Sequence, residues 1–261
     1  MNHAIVCVSI GKRPWTKYTF DAIEKYAKNI NSDFIIESEC NYKSVINFEN
    51  KFVNVGRPNK KGYIAKALVV EKYLKKYDRI AVIDDSYIIK PNADNLFELI
   101  PENYLGFNPE LHMNLKKKKP TPSSNVSFEF IKKYIKENNL NEINYDWTKY
   151  ANSSLVLYDK SHIEYFSRDN VFNNLNLFRC RQPHQSFLYY ICANFNIKQK
   201  EIPKNFHIIP GIWEKLQRER STLTSGKPYI NLDGVNGVHY TGTYTHRESL
   251  LKEAYDLWIN N

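Results

Sequence analysis

The sequence lacks any long apolar run. No window approaches the roughly 20 apolar residues that a membrane-spanning helix needs, and the mean hydropathy is −0.56. The four cysteines form no Cys-x-x-Cys pair, so neither a zinc site nor a disulfide framework is indicated. Neither an internal repeat nor a linker divides the 261 residues, and residues 1–10 lack the basic start of a signal peptide. We therefore expect one cytoplasmic domain with free thiols.

The composition excludes a disordered chain. Hydrophobic residues make up 42% and aromatic residues 14%, and so much apolar surface does not stay solvated. The formal net charge is +9, which suits a polyanionic partner such as nucleic acid, an anionic membrane or a phosphorylated substrate. It is equally typical of a lysine-rich surface that reflects AT-rich coding. The basic residues show no interleaved aromatic platform, so a nucleic-acid partner has only the charge in its favour.

Predicted strands and helices alternate over the first half of the chain. Apolar, β-branched runs predict strands at residues 4–10, 33–37 and 79–83, with an extended segment at 87–89. Apolar residues spaced three or four apart predict helices over 15–30 and 64–77. Asp94 is expected to cap a short helix that ends at Ile100. This alternation is typical of an α/β domain with a mostly parallel central sheet, in which ligands bind at the carboxyl ends of the strands.

The second half is less regular. The pattern predicts helices over 128–138, 183–194 and about 246–259, and a strand over 152–158. Two basic stretches, 116–119 and 215–227, are predicted to be loops. The second contains Lys215, Arg218 and Arg220. We interpret it either as a mobile lid over a phosphorylated ligand or as a solvated charged surface.

Two adjacent carboxylates, Asp84 and Asp85, follow the apolar strand at 79–83. Like charges placed together raise each other's pKa and lose hydration, so the pair is costly unless a cation or a sugar hydroxyl uses it. The alternative is structural: Asp84 caps a turn and Asp85 faces solvent. The sequence around the pair favours the functional interpretation.

Four blocks resemble, in order, the motifs of nucleotide-sugar glycosyltransferases with the GT-A fold, and glycosyltransferase family 8 most of all. The first is YDRIAVIDDSYII at 77–89 with NLF at 95–97, which resembles the family's Asp-x-Asp segment. The others are ANSSLVL at 151–157, HQSFL at 184–188 and VHYTG at 238–242. The resemblance implies a single GT-A, Rossmann-like α/β domain with a mixed, mostly parallel sheet flanked by helices. Residues 1–110 would form the nucleotide-binding half and 111–261 the acceptor-side half.

The resemblance also implies roles for the matching residues. Asp84, Ser86 and His239 would hold Mn²⁺ or Mg²⁺, although Ser86 replaces the family's second aspartate. The donor would be a nucleoside-diphosphate sugar. The positions implied at its nucleotide, diphosphate or sugar are Ser9, Gly11, Lys66, Asp84, Asp85, Asn152 and Lys215.

The stereochemistry is left open by these blocks. A retaining reaction would place Gln185 beneath the anomeric carbon, with assistance to the leaving group dominating. An inverting reaction needs a base to activate the acceptor hydroxyl, for which Asp146 and His184 are candidates. His184 replaces an aspartate of the family, and the lysine that usually follows the last block is missing, with His246 and Arg247 as the nearest basic residues.

Two readings of the function follow. The first is an enzyme that transfers a sugar to a glycan, a lipid-linked acceptor or a small molecule. The second, which Ser86 keeps open, is a catalytically inactive module of the same fold that binds a nucleotide-sugar or a glycan. Surface lysines would also suit peripheral attachment to an anionic membrane that carries the acceptor.

Overall fold

A computed structural model describes residues 1–50, 60–110, 122–207, 232, 234–240 and 247–259. Within these ranges the strands and α-helices follow one another in this order: β1 His3–Val8, α1 Thr16–Asn29, β2 Asp33–Glu37, α2 Lys43–Asn50, α3 Lys60–Leu74, β3 Arg79–Asp84, β4 Tyr87–Ile89, α4 Leu96–Leu99, β5 Leu105–Pro109, α5 Pro122–Glu137, β6 Ala151–Asp159, α6 Arg168–Asn173, α7 Pro183–Asn194, β7 Gln199–Glu201, β8 Gly237–His239 and α8 Arg247–Ile259. Short 3₁₀ helices occupy Trp147–Lys149, Lys160–His162, Leu175–Arg179 and Lys204–Phe206.

Six strands form the central sheet, in the order β2-β1-β3-β6-β5-β7. β1 pairs in parallel with β2 and β3, and β5 pairs in parallel with β7. β6 runs antiparallel to both of its neighbours, β3 and β5. The described sheet is therefore mixed and mostly parallel, which confirms the predicted α/β class.

Helices cover both faces of the sheet. Val6 and Val8 of β1 belong to the core that contains α3 and α7, whereas Ile5 and Cys7 belong to the core beneath α1. The sequence of β1 is a continuous apolar run because successive side chains point to opposite faces of the sheet and both faces are buried. A smaller core joins β4, β8 and α8 to α1.

Four strand ends meet at one edge of the sheet. Val8 is paired with Asp84, so the carboxyl ends of β1 and β3 are adjacent. β6 runs the other way, which brings its amino end beside them. Pro109, at the end of β5, is paired with Ala151 at the start of β6. The separate two-stranded sheet of β4 and β8 sets His239 opposite Tyr87, just beyond the end of β3.

The predicted elements are confirmed to within about four residues, except that α5 begins at Pro122, six residues before the predicted start, and that one cap is wrong. Asn95, not Asp94, caps α4: its side chain accepts a hydrogen bond from the backbone N–H of Phe97. The N-cap residue is the one whose side chain can accept this hydrogen bond, and Asp94 lies one residue before the N-cap position. All four cysteines are buried, and Cys7, Cys180 and Cys192 are free thiols. The predicted loops at 116–119 and 215–227 lie outside the described residues.

None of the described helices has the length and apolar content that crossing a bilayer requires.

Candidate active site

Asp84 ends β3 and contacts basic residues from two other elements. Lys66 of α3 forms an ion pair with its Oδ1 atom, and Nε2 of His239 lies 3.3 Å from Oδ2. Lys66 also donates a hydrogen bond of 3.1 Å to the carbonyl oxygen of Ser153. Burial raises the pKa of Asp84, but the charge of Lys66 and the hydrogen bond with His239 outweigh burial and hold that pKa well below its usual range. Asp84 is therefore a carboxylate at neutral pH.

The fold fixes both partners of Asp84. Lys66 is only 4% exposed, and the neighbouring Ala67 is fully buried, so the ammonium group depends on its ion pair for stability. The ring of His239 stacks on Tyr87, with 6.2 Å between centroids. Gly237 permits this approach: a Cβ atom there would lie 2.1 Å from the Tyr87 hydroxyl.

Asp85 points toward the loop between β1 and α1. Its carboxylate accepts hydrogen bonds from Ser9 Oγ at 2.9 Å and Trp15 Nε1 at 3.3 Å, and Arg13 Nε lies 3.4 Å away. Burial, followed by the charge of Asp84, raises the pKa of Asp85. Gly11 gives the loop its turn, with a φ of 87° in the left-handed region. The alternative in which Asp85 faces solvent is wrong, because its side chain is 13% exposed and bonded on both oxygens.

Two arginines flank Trp15 beside this carboxylate. The guanidinium of Arg13 lies 5.7 Å from the Trp15 ring centroid, and that of Arg247, the first residue of α8, lies 4.6 Å from it. Burial lowers the pKa of Arg247, while the charges of Asp85 and Asp84 oppose this effect. With Lys66, three cations therefore lie around two carboxylates.

A second cluster centres on Glu110, directly after β5. Its Oε1 atom accepts a hydrogen bond of 3.0 Å from Gln182, and its Oε2 atom accepts bonds from Gln185 at 2.9 Å and Asn152 at 3.4 Å. Gln185 also donates to the carbonyl oxygen of Ala151 at 3.0 Å. Burial raises the pKa of Glu110, and the three amides partly oppose it. Gln185 and Asn152, the two residues that the resemblance implies at the donor sugar, thus lie together around a carboxylate that the sequence analysis missed.

The other predicted residues occupy different settings. His184 is buried near Lys66 and Asp84, and within the described part of the chain neither ring nitrogen has a hydrogen-bond partner. Burial lowers its pKa to about 3, so the imidazole is neutral. Asp146 accepts a hydrogen bond of 3.0 Å from the backbone N–H of Thr148 and thereby caps a 3₁₀ helix. Ser86 is buried, and its carbonyl oxygen accepts a bond from the Tyr240 N–H. Lys215 lies outside the described residues.

The donor atoms at Asp84 do not fit a tightly held Mn²⁺ or Mg²⁺. Such ions take several oxygen ligands, usually with more than one carboxylate. Here one oxygen of Asp84 already pairs with Lys66, Asp85 is turned toward Trp15, and Ser86 offers only a neutral hydroxyl. Across the ranges described, His, Cys, Asp and Glu side chains form no group of three that would hold a metal ion.

A cavity of about 280 Å³ lies elsewhere, between α3 and residues 37–42, which run from the end of β2 to the start of α2. Its lining includes Glu37, Cys40, Leu68 and Lys72, and none of the residues of the Asp84 or Glu110 clusters. We place the candidate active site at the two clusters, because shifted pKa values and converging polar groups occur there.

No protein-family model matches the sequence, and the curated proteins contain no match to it. Solved structures do match over nearly the whole chain. A glycosyltransferase involved in glycosylation of the major capsid of PBCV-1 has a TM-score of 0.58 at 10% identity, over 97% of this chain and 100% of that one. The galactosyltransferase LgtC, in complex with donor and acceptor sugar analogs, has a TM-score of 0.54 at 12% identity, over 98% and 96%.

An active-site glutamine-to-glutamate mutant of LgtC gives a TM-score of 0.52 at 13% identity, over 96% of this chain and 95% of that one. At such low identity the likeness establishes the fold. The chain has the GT-A fold of these glycosyltransferases, as the resemblance of its motifs implied.

Proposed function

We propose that this protein is a glycosyltransferase that moves a sugar from a nucleoside-diphosphate sugar to an acceptor hydroxyl. The observation that carries the proposal is the meeting of the two clusters at one sheet edge. Asp84 with its cations lies at the ends of β1 and β3, and the amides around Glu110 lie at the adjoining ends of β5 and β6. Ligands bind at such an edge in open α/β sheets.

The cations would serve the leaving group. When the bond between the anomeric carbon and the phosphate oxygen breaks, negative charge develops on the diphosphate, and fixed positive groups stabilise it. Lys66, Arg13 and Arg247 are the positive groups next to Asp84 and Asp85. Asp84 would orient Lys66 and accept a hydrogen bond from the ribose, and Ser9 and Gly11 would lie on the nucleotide side.

Glu110 would orient the group that faces the donor sugar. The amide nitrogen of Gln185 donates to both Glu110 and the Ala151 carbonyl, so its two hydrogens are used. The carbonyl oxygen of Gln185 is then the atom left to stabilise a positive anomeric carbon. This favours a retaining reaction, with Asn152 beside the sugar.

An inverting reaction remains a prediction with two candidate bases. His184 is neutral and close to the Asp84 ion pair, but burial lowers its pKa to about 3, which makes it a weak base, and it is only 1% exposed. Asp146 already accepts the hydrogen bond from Thr148 that caps the 3₁₀ helix. We assign Glu110 to positioning, since both of its oxygens already accept amide hydrogens.

The remaining parts of the proposal come from the sequence. The predicted Mn²⁺ or Mg²⁺ would have Asp84 and His239 as its ligands among the described residues, a set that does not hold such an ion tightly, and the chemistry above does not depend on it. The acceptor class, a cytoplasmic location, attachment to an anionic membrane and a lid at Lys215 stay predictions.

A donor panel tests the proposal. Purified protein is incubated with UDP- and GDP-linked hexoses and pentoses, and release of the nucleoside diphosphate is measured. We expect turnover of at least one donor, a loss of about 100-fold or more in Asp84→Asn, and no change in Asp169→Asn, an exposed control in α6. Binding of a donor without turnover would favour the inactive module, and absence of both would contradict the proposed function.

A further inference from the structure

The residue at position 86 sets the charge of the site. Ser86 follows the Asp84–Asp85 pair and is held beside β8 by the bond between its carbonyl oxygen and the Tyr240 N–H. A carboxylate at this position would lie two residues after Asp84 and, through that backbone bond, beside the strand that carries His239. The serine hydroxyl carries no charge, so position 86 offers no anionic ligand for a divalent cation.

Lys66 holds the other part of that space. Its ammonium group pairs with Asp84 Oδ1 and donates to the Ser153 carbonyl oxygen, which uses two of its three N–H groups. A divalent cation bound to the same carboxylate would lie against this buried ammonium and be repelled by it. A phosphate oxygen would instead be attracted to both the charge and the remaining N–H.

The two arginines supply positive charge beside Asp85 and Trp15. Arg13 is a third exposed and pairs with Asp85, and Arg247 stacks on the same tryptophan ring, Trp15. Guanidinium groups bind phosphate oxygens through two parallel N–H groups. With three cations around two carboxylates, the site is already positive before any ligand arrives.

We propose, on the basis of the proposed function, that this site binds its nucleoside diphosphate without a divalent cation. Lys66, Arg13 and Arg247 together supply the positive charge. Lys66 pairs with one oxygen of Asp84, His239 faces the other, and Ser86 offers no anionic ligand. In this site the positive charge is thus carried by side chains rather than by a bound metal ion.

Calorimetric titration with nucleoside diphosphates tests this inference. UDP, GDP, ADP and CDP are each titrated into the intact protein, once in EDTA and once in Mn²⁺. We expect at least one diphosphate to bind in EDTA, with a Kd within threefold of that in Mn²⁺. Binding that is tenfold or more weaker in EDTA would overturn the inference and leave the proposed function standing. If no diphosphate binds in either condition, both are overturned.

Variants make the test independent of turnover. Ser86→Asp adds a carboxylate two residues after Asp84, and we expect Mn²⁺ to tighten diphosphate binding at least fivefold in this variant alone. Arg247→Gln should weaken binding in EDTA about tenfold, whereas Lys133→Gln, an equal loss of charge on exposed α5, should leave it unchanged. Equal responses of Arg247→Gln and Lys133→Gln would contradict the role of the arginines.

Discussion

The side-chain amide of Gln185 donates a hydrogen bond of 2.9 Å to the carboxylate of Glu110. Gln185 belongs to the first turn of α7, and Glu110 follows β5, so the bond ties the helix to the sheet edge. The second bond of Gln185, to the Ala151 carbonyl, fixes the amide in one orientation. The catalytic assignment of Gln185 therefore depends on a carboxylate that does not itself have to touch the sugar.

Replacing this carboxylate by an amide should separate activity from stability. In Glu110→Gln we expect kcat to fall about tenfold or more, equivalent to about 1.4 kcal/mol, because Gln185 loses a charged acceptor. The free energy of unfolding should change by less than about 1 kcal/mol, since the loss of a hydrogen bond is offset by removal of a buried charge. Steady-state kinetics and urea denaturation measure the two effects. Glu129→Gln, on exposed α5, is the matched control, and a change in KM alone would contradict the positioning role.

The ion pair between Lys66 and Asp84 should show strong coupling. Lys66→Met leaves a largely buried carboxylate without its cation, and we expect a loss of about 2–3 kcal/mol, toward the low end for broken buried pairs because Asp84 is 24% exposed. The double variant Lys66→Met/Asp84→Asn should recover most of that stability and remain inactive. Urea denaturation of the four proteins completes the cycle. Additive losses would show that the two groups are not coupled.

His184 should make stability depend on pH. The unfolded chain binds a proton there near pH 6.5, whereas burial lowers the pKa in the folded state to about 3. The unfolded state therefore binds more protons between these values, and stability falls as the pH drops from 6.5 toward 3, by up to about 1.4 kcal/mol per pH unit.

Denaturation of variants at pH 7, 6 and 5 checks this effect. His184→Leu should flatten the decline, and His162→Leu should do so too, because burial also lowers the pKa of His162, to about 4. Ser186→Ala, buried on the same helix, should keep the wild-type slope. An unchanged slope in His184→Leu would mean that this imidazole is not held neutral.

Gly237 should be intolerant of any side chain. An added Cβ atom would lie 2.1 Å from the Tyr87 hydroxyl and 2.6 Å from the Phe206 carbonyl oxygen. We expect Gly237→Ala to cost about 2–3 kcal/mol and to reduce activity, since His239 is two residues away on the same strand. Tyr87→Phe removes the nearer obstacle and should restore part of the stability. Thermal melting of the two single variants and the double variant checks this, and a double variant no more stable than Gly237→Ala would contradict it.

Local sequence patterns were sufficient for the longer elements. The apolar run before Asp84 predicted β3, because both faces of that strand are buried. The spacing of Trp15, Tyr18, Ala22, Tyr26 and Ile30 predicted α1, because one face of that helix is buried. The GT-A fold followed from the resemblance of four short blocks. Lys66 came from the same resemblance, since nothing in the spacing of α3 marks a lysine that is 4% exposed.

Glu110 was missed because β5 does not look like a strand. It contains Gly106 and Pro109, which are uncommon inside sheets. Gly106 is present because a Cβ atom there would lie 2.9 Å from that of Leu157 on β6. This is a tertiary constraint, and no local pattern reports it. β7 and β8, of three residues each, are too short to show a period.

The partners of Asp85 were equally beyond local reasoning. Trp15 is 70 residues away along the chain and Ser9 is 76 residues away. The register between β1 and β3 brings Ser9 to Asp85, and the loop that follows β1 brings Trp15 there. Sequence analysis identified the paired carboxylates as unusual. Only the three-dimensional structure shows that Asp84 faces Lys66 and that Asp85 faces the β1–α1 loop.

The structure of the protein with a bound nucleoside diphosphate tests the central claim most directly. We predict that the phosphates lie at the carboxyl ends of β1 and β3, within hydrogen-bond distance of Lys66, Arg13 or Arg247, and that a donor sugar would extend toward Gln185. A diphosphate bound away from Asp84, for example in the cavity lined by Glu37 and Lys72, would contradict the assignment of the active site.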